Sequence, residues 1–82
     1  MTITNQIEKL QIRNQFIGFI QMHGLNLANF CKKFDLDYMT VYKRLNKYKS
    51  MELDEINRYV ALLDGKKKVQ NIAGKYVISA KF

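Results

Sequence analysis

Apolar positions in the first quarter of the chain recur at helical spacing. Ile7, Leu10, Phe16, Ile17 and Ile20 share one face of a helix predicted over residues 5–22, with Ile12 and Phe19 flanking that face. Thr4 or Asn5 supplies a cap at its start. His23-Gly24 ends it, because glycine suits the left-handed position after a helix. A shorter helix is predicted from about Leu27 to Phe34. There Leu27, Phe30, Cys31 and Phe34 lie at i, i+3, i+4 and i+7, Asn26 is a capping residue type, and Leu25 stands where a hydrophobic staple packs. Asp35-Leu36-Asp37 then reads as a tight turn. Asp35 tolerates a left-handed backbone, Leu36 points back between the helices, and Asp37 caps the next helix.

The third helix, from about Tyr38 to Lys49, is anchored by Val41, Leu45 and Tyr48. Its other side carries Tyr38, Met39, Tyr42, Lys43, Asn46 and Lys47, with Arg44 at the edge. No acidic residue lies between Tyr38 and Met51, so this is not the Glu/Lys mixture of an ordinary solvated helix. Ser50 is predicted to open a fourth helix, from about Met51 to Leu63. Glu52, Asp54 and Glu55 fall in its first turn, where negative charge suits the helix dipole, and Leu53, Ile56, Val60 and Leu63 form its stripe. Asp64-Gly65 stops it. Beyond that the period changes to two: Tyr76, Ile78, Ala80 and Phe82 alternate with Lys75, Val77, Ser79 and Lys81. Lys67 to Ile72 can pair with that strand through a turn near Ala73-Gly74. The predicted fold class is therefore mainly α with a small C-terminal β-hairpin, in one domain over residues 1–82: four helices, then a two-stranded hairpin over residues 66–82.

Composition sharpens this picture. A chain of 82 residues buries only about 60% of the surface its unfolded form exposes, and a single cysteine excludes an internal disulfide. No Cys/His set has zinc spacing, so a homodimer is the expected source of extra stability. The formal net charge is +7, and the excess is uneven: residues 38–82 hold 10 basic and 4 acidic residues. Such an excess attracts a polyanion. The start shows no secretory pattern, and no apolar run approaches the ~20 residues of a membrane span, so a cytoplasmic location and no membrane partner are expected.

At Leu27–Asn46 the pattern resembles the helix-turn-helix of lambda-repressor and Cro-like regulators of phages and other mobile elements, with the motif set in residues 26–49. Cys31 stands at that motif's small position, Asp35 at its usual glycine, Leu36 at its turn plug and Val41 at its buried recognition-helix position. Arg44 takes a place where a second apolar residue is usual, with Leu45 next to it. The C-terminal hairpin is similar both to the strand arm through which Cro-like proteins pair and to a winged-helix wing. It can fold onto its own core, serve as a dimerisation edge, or touch DNA.

The resemblance implies binding of double-stranded DNA as a dimer, with the third helix in the major groove. The residues then have roles. Asn46 pairs with adenine, and Lys43 or Arg44 with guanine. Tyr38, Met39 and Tyr42 offer apolar contact to thymine methyls, and Thr40 lies among them. Lys43 and Lys47, with Lys32 and Lys33, meet phosphates, and Lys66, Lys67, Lys68 and Lys75 extend the footprint. A small phage- or plasmid-type transcriptional repressor fits this set. A mobile-element accessory protein that uses the hairpin as a wing, or a module for a protein or RNA partner, draws on the same surface. No nucleophile–base pair, phosphate-cradling loop or metal set is visible, so neither an enzyme nor a cofactor is expected.

Overall fold

The computed structural model describes residues 2–46 and 50–80. Its elements in order are β1 (Thr2–Ile3), α1 (Gln6–Met22), α2 (Leu27–Lys33), α3 (Tyr38–Asn46), β2 (Met51–Glu52), α4 (Leu53–Leu63), β3 (Lys67–Ile72) and β4 (Lys75–Ala80). The chain is mainly helical and ends in an antiparallel hairpin of β3 and β4, as its sequence predicts.

Asn5 caps α1, its side-chain oxygen accepting the N–H groups of Ile7 (2.9 Å) and Glu8 (3.1 Å). The other end closes in a Schellman motif. Gly24 takes the left-handed conformation (φ 75°), its N–H reaches Gln21 O, and the Leu25 N–H reaches Ile20 O. Leu25 then packs on the core. The same device recurs at α2. Asp35 is left-handed (φ 55°), and the Leu36 N–H bonds Cys31 O at 2.8 Å, so Leu36 is the half-buried plug. Asp37 comes directly after it as the cap of α3. Two successive helix ends thus use one geometry, and the second sets α3 against α2.

The buried face of α1 differs from the expected one. Ile12, Phe16, Phe19 and Ile20 are buried, whereas Ile7 is 70% and Leu10 55% exposed. The helix carries two apolar stripes, and tertiary partners decide between them. Phe16 meets Phe30 of α2 edge-on at 5.5 Å and Tyr59 of α4 at 6.2 Å, while Phe30 and Tyr59 lie 6.3 Å apart. This aromatic triangle ties three helices together and fixes which side of α1 faces inward.

A second correction falls at residue 50. Ser50 does not cap a helix from Met51. Instead β2 pairs antiparallel with β1, Thr2 opposite Glu52 and Ile3 opposite Met51, and α4 begins only at Leu53. Ile3 and Met51 are both buried, so the paired strands contribute to the core. Along α4 the predicted stripe holds, with Leu53, Ile56 and Val60 buried and Leu63 half-buried against the core.

The hairpin turns at Ala73-Gly74, where both residues have positive φ (54° and 84°), the signature of a two-residue type I′ loop. Val69 and Tyr76 face inward and are buried. The hairpin packs on α1 and α4 of its own chain, and side-chain amides cover both of its edges. Gln11 and Gln15 of α1 accept the outward N–H groups of Tyr76 (3.4 Å) and Ile78 (3.3 Å), and Asn57 of α4 accepts that of Val69 (2.7 Å). Addition of a second chain at either edge would have to displace these bonds.

Candidate nucleic-acid interface

The outer face of α3 is the candidate site. Asp37 Oδ2 accepts both the backbone N–H (3.1 Å) and the hydroxyl (2.6 Å) of Thr40. Those bonds, helped by the charge of Lys43, hold the Asp37 carboxyl below the usual carboxylate range. Thr40 therefore completes the cap. Val41 and Leu45 are buried against the core, which turns the remaining positions outward.

Tyr38 (41% exposed) stacks on the half-buried Tyr42, ring centroids 5.9 Å apart at 26°, while Met39 (52% exposed) and Lys43 project on the adjoining strip. Two large apolar side chains left open beside a cation present apolar contact and charge together. Those are the chemistries that read a thymine methyl and a phosphate or guanine edge.

Two other expected readers are engaged inside the fold. Arg44 points towards α4, its Nε 2.9 Å from Glu55 Oε1 but off the N–H axis, so the contact is one of charge. The Tyr59 hydroxyl donates to the same carboxylate oxygen at 2.6 Å; burial first, and this bond second, push the phenol well above its ordinary range. Arg44 thus ties α3 to α4, and among the described residues Leu45 fills the apolar place in that turn. Asn46 accepts a hydrogen bond from Arg13 Nε of α1 and donates to Tyr42 O at 3.0 Å, so its amide has a partner at each end. Lys47 and Tyr48 lie outside the described residues, as do Lys49, Lys81 and Phe82.

The hairpin lysines are placed apart. Lys66 and Lys75 are exposed and Lys67 and Lys68 half-buried; β4, which carries Lys75, is held by Gln11 and Gln15 of α1, and β3, which carries Lys67 and Lys68, by Asn57 of α4. Arg13, which holds α3, sits two positions from each glutamine and therefore about 200° around the helix. The hairpin and α3 flank α1 on opposite sides. Lys32 and Lys33 are exposed at the end of α2, where their charge suits the helix dipole.

Burial, and then the charge of Asp37, raise the Cys31 thiol, which fits a small core residue rather than a nucleophile. Among the described residues no cluster of His, Cys, Asp or Glu could hold a metal ion, and no helix is long and apolar enough to cross a membrane.

Comparison of the chain with protein-family models, with curated proteins and with solved structures found no match. Arg13, which holds Asn46 beside the candidate face, is a residue that the sequence pattern did not single out, because it sits on a helix that reads as plain core. Its only signal was the i, i+4 spacing from Lys9.

Proposed function

We propose that this chain binds duplex DNA sequence-specifically through α3, as a small transcriptional repressor of the phage or plasmid type acting as a homodimer. One observation carries the reading. The helix after the Asp35–Asp37 turn leaves Tyr38, Met39, Tyr42 and Lys43 facing outward, without a carboxylate among them, on a segment its neighbours hold rigidly from behind. Rigid support matters because a recognition surface must keep its geometry when it loses water.

The hairpin is left out of the proposed footprint. Its lysines lie on the far flank of α1, and its covered edges make strand addition a poor route to a dimer. The wing-based accessory role is weakened for the same reason.

Titration of the isotope-labelled protein with a short duplex, read by amide chemical shifts, tests this assignment. The largest changes are expected over residues 36–46. Changes concentrated at Lys66–Lys68 and Lys75, with α3 silent, would reverse the assignment in favour of a wing.

A further inference from the structure

Beside the outward face of α3 runs a groove of about 310 Å³, lined by Gln6, Lys9, Leu10 and Arg13 of α1 and by Arg44, Leu45 and Asn46 of α3. Three of these residues are cationic, two carry amides, and no carboxylate is among them. Arg44 is already paired with Glu55, so the weight falls on Arg13. Its Nε donates to Asn46 Oδ1, and its Nη1 donates to Asn14 Oδ1 at 3.1 Å. Both acceptors are neutral, so these bonds orient the guanidinium without cancelling its charge. Of its five N–H donors, two are used among the described residues. What remains is a half-buried fork, aimed in advance, of the kind that takes a phosphate bidentately.

We propose that this α1–α3 groove is a phosphate site, with Arg13 as its principal ligand. The inference rests on the DNA-binding reading for its occupant, a backbone phosphate of the strand that borders α3. A helix with its side chains is about as wide as the major groove, so phosphates flank a helix lying there. The groove stands along that border, because Asn46 is one helical turn beyond Tyr42. Asn46 is then a positioning residue, holding the Arg13 fork instead of reading adenine.

The test uses the intact chain, as wild type, Arg13→Gln and Arg13→Lys, the last keeping the charge but not the fork. Affinity for duplex DNA is measured between about 50 and 200 mM salt. Arg13→Gln is expected to weaken binding roughly three- to tenfold on all sequences alike and to lower the salt slope by about one. Arg13→Lys is expected to keep the slope and recover part of the affinity, which also guards against a folding defect. In parallel, inorganic phosphate is titrated at constant ionic strength while the Arg13 Nε–H signal is followed. If wild type and Arg13→Gln bind DNA with equal affinity and slope, the groove proposal fails and the DNA reading stands. If DNA does not bind but phosphate moves the Arg13 signal saturably, and Arg13→Gln abolishes that response, the groove serves a free phosphate-bearing ligand and the DNA reading alone fails. An Arg13 signal silent to both DNA and phosphate overturns the proposal.

Discussion

Phe30→Ala is expected to be among the most destabilising single substitutions in this protein, lowering its urea midpoint sharply. Phe30 is fully buried, edge-on to Phe16, 5.1 Å from Phe34 and 6.3 Å from Tyr59, so its ring is the meeting point of α1, α2 and α4. Truncating a buried Phe to Ala costs about 3–5 kcal/mol, from lost transfer energy and the cavity left behind. A domain of this length has a total stability of roughly 4–12 kcal/mol, at the usual 0.05–0.15 kcal/mol per residue. The loss therefore removes a quarter of the margin at least, and nearly all of it at the lower bound. Urea titration followed by far-ultraviolet circular dichroism measures this directly. A paired comparison tests the observed orientation of α1. Ile12→Ala should cost about 2–5 kcal/mol, because Ile12 is buried, and Ile7→Ala only about 0.5 kcal/mol or less, because Ile7 is mostly exposed. The reverse order would mean that α1 faces the core with its other stripe.

Lys43→Ala is expected to leave the melting temperature unchanged and to weaken binding to a preferred duplex by about 1–3 kcal/mol, or roughly 5- to 150-fold. The side chain is exposed in the middle of the outward face of α3, one turn from Met39, and supports nothing in the core. The sequence dependence of the loss assigns its role. A loss confined to the preferred sequence marks a base contact, and an equal loss on all duplexes marks a phosphate contact. Tyr38→Ala should act with it, since Tyr38 stacks on Tyr42 and covers that side of the same surface. An unchanged affinity in the double variant would remove α3 from the interface.

Local signals in the sequence carried much of this structure. Both left-handed helix ends, the caps Asn5, Asn26 and Asp37, the stripe of α4 and the period-two hairpin were legible, because each depends on a residue and its near neighbours. The buried side of α1 was not, since a helix with two apolar stripes leaves the choice to distant rings. Nor was the pairing of Thr2–Ile3 with Met51–Glu52, because two residues are too short to show a strand period. At the candidate site, residue type predicted Tyr38, Met39 and Lys43 as outward. It could not show that Arg44 would be drawn to Glu55, or Asn46 to Arg13, because both partners lie on other helices. Polar residues in a recognition helix look alike in sequence whether they serve DNA or the fold.

The central claim is tested most directly by mixing the purified protein with a pool of random-sequence duplexes near physiological salt and sequencing what it retains. Enrichment of an inverted repeat, with half-sites about one helical turn apart, is the predicted result for a dimeric reader. Retention without any preferred sequence, collapsing as salt rises, would contradict it and reduce the basic surface to a non-specific attraction.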